Sequence, residues 1–138
     1  MKRYELIDHT ADIGIRVFGE TCAELFENAG YALFDIIAET KNVAAREKRT
    51  FQLERENIEE LLVEWLNSLL FAFDTEQLLF AAFSVKTLDA GALVAEAAGD
   101  FYQNHVHVIK TAVKAITYHN LSILEKNGIW EATLVLDV

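Results

Sequence analysis

Between residues 58 and 73 the side chains Ile58, Leu61, Leu62, Trp65, Leu66, Leu69 and Phe73 recur at steps of three and four and fall on one stripe of a helix. A stripe of that size is not stable in water, so some other element must offer an apolar surface to cover it. The helix also carries its own start signal. In Asn57-Ile58-Glu59-Glu60 a short polar side chain is followed three residues later by a carboxylate, the pairing that satisfies free N–H groups at a helix start. Thr21-Cys22-Ala23-Glu24 repeats the pattern ahead of Leu25, Phe26, Ala29, Leu33, Ile36 and Ile37, which predicts a first helix running to about Ala38.

The covering surface comes from segments of period two. Apolar side chains alternate with Gly14 and Arg16 from Ile13 to Phe18, and again along Thr50-Phe51-Gln52-Leu53-Glu54. Phe83 to Leu88 and Leu93 to Ala98 flank the turn signal Asp89-Ala90-Gly91 and predict a hairpin. A second hairpin joins Val113–Leu124 to Ile129–Val138 around Asn127-Gly128, a dipeptide suited to the positive φ angles of tight turns. In its last strand Trp130, Ala132, Leu134 and Leu136 point to the core, while Glu131, Thr133, Val135 and Asp137 point away. The expectation is an α+β chain, a two-layer sandwich with a mostly antiparallel sheet and two main helices on one face. With 138 residues, 52% of them apolar, no proline, no linker-like run and no repeat, a single domain over residues 1–138 is expected.

Several function classes are disfavoured. No run of roughly eighteen apolar residues exists, and Met1-Lys2-Arg3 leads into Tyr4-Glu5-Leu6-Ile7-Asp8 rather than an apolar signal region, so a cytoplasmic protein without membrane contact is expected. A lone Cys22 cannot form an internal disulfide and reads as a small helix residue. The formal charge of −10 repels phosphate backbones, which argues against strong direct nucleic-acid binding and is compatible with a basic protein partner, a bound cation or simple solubility. No Gly-rich phosphate loop, nucleophile elbow or nucleophile beside an evident base is found, so neither an enzyme nor an organic cofactor is expected.

The densest polar cluster is Asp8-His9-Thr10-Ala11-Asp12, readable as a turn that satisfies its own backbone. Alternation puts Asp12 on the Gly14/Arg16 face, away from Ile13, Ile15 and Val17, and so available for binding. Asp137 lies on the polar side of its strand, and Val138 brings the terminal carboxylate next to it. If the first and last strands are neighbours, these carboxylates repel unless a cation lies between them, and hard oxygen donors suit Ca²⁺, Mg²⁺ or Mn²⁺. The spacing of His105 and His107 would suit a zinc site on a strand, but no third ligand accompanies them, His119 lying further on, and surface or turn positions are the plainer reading. Lys110 and Lys114 flank this region and could meet an acidic partner.

Two stretches, Tyr4-Glu5-Leu6-Ile7-Asp8-His9-Thr10-Ala11-Asp12-Ile13-Gly14-Ile15 and Val113-Lys114-Ala115-Ile116-Thr117-Tyr118-His119, resemble the signature segments of the archease family, as does the ending Leu134-Val135-Leu136-Asp137-Val138. The resemblance spans the chain. It implies a cofactor protein of the RtcB-type RNA ligase, which joins RNA ends through a guanylylated histidine in tRNA splicing and RNA repair, with archease speeding guanylylation and sustaining multiple turnover. It also implies a metal site at Asp12, Asp137 and Val138; Asp8 and His9 match the same motif, but a structural role at the strand entrance is assigned to them. The chain departs from the family pattern at Ala112, where an acidic residue is usual, and in the loop after Gly99, which lacks the usual prolines. Another activity attributed to the family, chaperoning a tRNA methyltransferase without metal chemistry, is the alternative reading.

Overall fold

A computed structural model describes residues 1–8 and 11–138 of the chain. In chain order the elements are β1 (Tyr4–Ile7), β2 (Ile13–Gly19), α1 (Cys22–Ile37), β3 (Glu47–Glu54), α2 (Ile58–Glu76), β4 (Leu78–Leu88), β5 (Ala92–Phe101), β6 (Ala115–Lys126) and β7 (Ile129–Asp137). Both helices start where their polar signals stand. Thr21 Oγ1 accepts from the Glu24 N–H at 3.0 Å and Asn57 Oδ1 from the Glu60 N–H at 2.9 Å. Glu24 and Glu60 each reach back to the N–H one residue before the cap, at Glu20 and Glu56, so each start is closed from both sides.

The α+β class and both helices match the sequence reading, but the strands divide between two sheets. All pairings are antiparallel, in a four-stranded sheet of order β1-β2-β7-β6 and a three-stranded sheet of order β3-β5-β4. Both expected hairpins are present, β4 with β5 and β6 with β7, the latter turning at Asn127 (φ 53°) and Gly128 (φ 80°). Each helix packs on strands of both sheets. The core runs continuously from Ile15, Val17, Ala132, Leu134 and Leu136 through the helices to Leu79, Phe80, Ala95 and Ala97. Trp65 is fully buried, and its indole N–H donates to the Phe26 carbonyl at 2.9 Å, tying α2 to α1.

The helices also close two sheet edges with polar side chains. On α1 the Glu27 carboxylate accepts from the Val85 N–H of β4 at 2.8 Å. On α2 Asn67 imitates a neighbouring strand: its carbonyl accepts from the Ile116 N–H (3.0 Å) and its amide donates to the Ile116 carbonyl (3.2 Å). Among the described residues no helix is long and apolar enough to cross a membrane.

Candidate functional site

The order of the four-stranded sheet makes β2 and β7 neighbours, so a strand from the start of the chain lies beside the last one. Their register runs from Gly19↔Trp130 to Ile13↔Leu136. Asp12 and Asp137 are the next residues out on the two chains, both half-buried, and on the other side Asp137 pairs with Ala115 of β6. The Lys114 N–H donates to the Asp137 carbonyl at 2.7 Å, and the Val138 side chain packs against the core. The chain end is therefore held in place from two directions.

Along the outward face, strand alternation sets three zones in a row. First come the two aspartates. Next, Gly14, Val135 and Thr117 lie abreast, with Ile7 paired to Gly14 and its side chain so close over it that a Cβ there would stand 2.8 Å from Ile7 Cγ1. Val135, expected on the open polar face, is buried, paired with the glycine over which Ile7 closes down. In the third zone Arg16 faces Glu5 at 3.4 Å and Glu131 at 3.6 Å. Arg16 lies four residues along β2 from Asp12, about 13 Å at the usual strand rise, so its charge is committed elsewhere. Among the described residues neither Asp12 nor Asp137 has an ion-pair partner or a side-chain hydrogen bond. Lys114 is near in sequence and exposed, and it forms no ion pair with either aspartate among the described residues.

The donor set consists of carboxylate oxygens, which fits a hard divalent cation better than zinc. No group of three or more His, Cys, Asp or Glu side chains gathers at metal-binding distance among the described residues, so two aspartates are what the side chains alone supply. Of the turn leading into β2, Asp8 is exposed at the end of β1, whereas His9 and Thr10 lie outside the described residues.

The remaining candidates separate. His105 and His107 lie in the segment after β5, not on a strand, so they lack the shared face a zinc site needs. His105 is exposed. His107 is only 4% exposed, and its Nδ1 accepts from the Gln103 N–H at 3.0 Å, which makes it a clasp for its own turn. Glu39 N–H to Val108 O (3.0 Å) and Lys110 N–H to Ile37 O (2.7 Å) bind the same segment to the end of α1 without proline. Cys22 is the half-buried first residue of α1, and burial, followed by the charges of Glu125 and Glu59, pushes its thiol up to about 11.

One feature beside the aspartates is not apparent from alternation. The β6–β7 register jumps between Thr117 and Ser122, where Asn120 takes φ 56° and Tyr118 and His119 stand exposed. Thr117 Oγ1 holds the bulge, donating to the Val135 carbonyl (3.3 Å) and accepting from the His119 N–H (3.2 Å). The signal in the sequence is Asn120, one of the few residue types that tolerates that backbone region.

Comparison with known proteins bears on the whole chain. The model of the archease protein family (MTH1598/TM1083) matches residues 4–138. The Protein archease of Pyrococcus abyssi is 43% identical with both chains fully covered, and that of Methanosarcina mazei is 37% identical over 99% of this chain and 97% of its own. The solution structure of protein 1598 from Methanobacterium thermoautotrophicum superimposes with a TM-score of 0.87 at 38% identity, covering 100% of each chain. A crystal structure from Thermotoga maritima, called an archease and possible chaperone, aligns with a TM-score of 0.67 at 21% identity over 96% of this chain and 94% of that one, and so shares the fold.

Proposed function

The chain belongs to the archease family, and we propose that it serves as a protein activator of an RtcB-type RNA ligase in tRNA splicing and RNA repair, holding a divalent cation with Asp12, Asp137 and the carboxylate of Val138. The observation that supports this most is a pair of half-buried aspartates at the same end of two adjacent strands, Asp12 just before β2 and Asp137 last in β7, with no ion-pair partner for either among the described residues. Two like charges in such a place favour a bound cation.

When bound, Ca²⁺, Mg²⁺ or Mn²⁺ would supply positive charge able to offset that of phosphate oxygens. The chain's own part is positional. Asp137 is fixed by the Lys114 N–H and by its strand, Val138 by the core, and Asp12 by the start of β2. The −10 charge favours docking on a basic protein surface over holding RNA directly, and no organic cofactor enters the proposal.

The test is multiple-turnover ligation by a purified RtcB-type ligase with Mn²⁺ and GTP, with and without this chain or its Asp137→Ala variant. Acceleration by the parent and none by a folded Asp137→Ala is the expected result. Full acceleration by the variant would refute the cation's role. No acceleration by either, together with improved solubility of a tRNA methyltransferase that survives both Asp12→Ala and Asp137→Ala, would favour a chaperone.

A further inference from the structure

The outer edge of the three-stranded sheet is β3, and its hydrogen-bonding direction can be assigned residue by residue. The Arg55 N–H donates to the Gly91 carbonyl at 2.9 Å, one step beyond the Glu54↔Ala92 pair of the β3–β5 ladder. Bonded and non-bonded pairs alternate in an antiparallel ladder. The odd-numbered residues of β3 therefore turn their N–H and C=O toward β5, while Lys48, Thr50, Gln52 and Glu54 turn theirs outward. Two of those carbonyls are covered by side chains, Lys48 O by Arg49 Nη1 (2.9 Å) and Glu54 O by Arg55 Nη1 (2.6 Å). Among the described residues nothing hydrogen-bonds the outward backbone groups of Thr50 and Gln52. Beside this stretch runs a groove of about 510 Å³, walled by Thr50 and Phe51 and floored by Ser68, Phe71 and Ala72 of α2. Phe71 is 68% exposed there, the most exposed large apolar side chain among the described residues.

We propose that this edge pairs antiparallel with β3 of a second copy of the same chain, about a two-fold axis at Phe51. A row of unpaired N–H and C=O groups is satisfied in kind by another strand. The sequence itself selects a second copy. Reading Glu47-Lys48-Arg49-Thr50-Phe51-Gln52-Leu53-Glu54-Arg55 against its own reverse sets Lys48 opposite the second copy's Glu54, Glu47 opposite its Arg55 and Thr50 opposite its Gln52, each twice by symmetry. Outward-facing residues meet outward-facing residues in this register. A slip of two residues that brings Arg49 opposite Arg55 sets like charges against each other. The exposed ion pairs fix the register more than they add strength, and the pairing covers Phe71 in the groove. The −10 carried by each copy opposes association, so the dimer is weak and strengthens as salt screens that repulsion.

Sedimentation velocity of the full chain, from micromolar to millimolar concentration, reads this directly. The parent should pass from monomer toward dimer. Thr50→Pro should remain monomeric with an unchanged circular dichroism spectrum, because the N–H it removes is not part of the β5 ladder. Lys48→Glu and Glu54→Lys should each remain monomeric alone, whereas an equimolar mixture should dimerise, since each variant then meets opposite charge at both positions. A parent that is monomeric throughout, a Thr50→Pro variant that still dimerises, or a mixture that stays monomeric would overturn the proposal.

Discussion

Asp12 and Asp137 could be singled out from sequence because alternation placed both off the apolar face of a strand, and a carboxylate in that position is not a core residue. Their neighbourhood could not. Alternation assigned Val135 to open solvent, whereas it is buried, beside Gly14 over which Ile7 closes down. His107 shows the same limit: a histidine two residues from another gave no hint that it would turn inward and clasp the Gln103 N–H. At Cys22 the environment changes reactivity. With its thiol raised to about 11, the thiolate is scarce at ordinary pH. Labelling by a thiol reagent at pH 8 should be about 100-fold slower in the folded protein than in the unfolded chain, the ratio set by a shift of roughly two units. The folded rate should climb steeply only as pH approaches the raised value. Equal rates in the two states would contradict the burial.

At the level of elements, the helices and both hairpins were legible because their signals are local: capping residues, a stripe of three-four period, and turn dipeptides. The division of the strands between two sheets was not. It depends on which strand edges the helices cover, and side chains such as Glu27 and Asn67 that look like surface polar residues in sequence do the covering. Asn67→Ala should leave the Ile116 N–H and C=O without their partner. The cost should be about 2 kcal/mol, the loss of two hydrogen bonds in a part-buried place, read as a lowered midpoint in urea unfolding at unchanged slope. Asn67→Asp keeps the acceptor and loses the amide donor, so it should fall between the two. The β6 bulge was likewise hidden, since the jump between Thr117 and Ser122 interrupts a stretch whose composition reads as one strand.

For the molecule as a whole, the net −10 and the two aspartates that have no ion-pair partner among the described residues act in the same direction: both are relieved by bound cations. Calorimetry of the parent should show a melting temperature that rises with added Mn²⁺, Mg²⁺ or Ca²⁺ and returns on chelation, with a stabilisation of about 2.7 kcal/mol at a hundredfold excess over the dissociation constant. Asp12→Ala and Asp137→Ala should each remove that response. If both variants respond like the parent, the cations are acting on the general charge instead. The pairing of β2 with β7 also fixes when the two aspartates can meet. Their neighbours Ile13 and Leu136 are 123 positions apart in the chain, so everything between them must be made before that ladder can close. On a ribosome, β2 waits in the middle of an unfinished sheet with one flank open, while β3, β4 and β5 already have each other. Contacts so distant along the chain are slow to form, and the place where a cation would bind thus takes shape only once β7 has emerged to join β2.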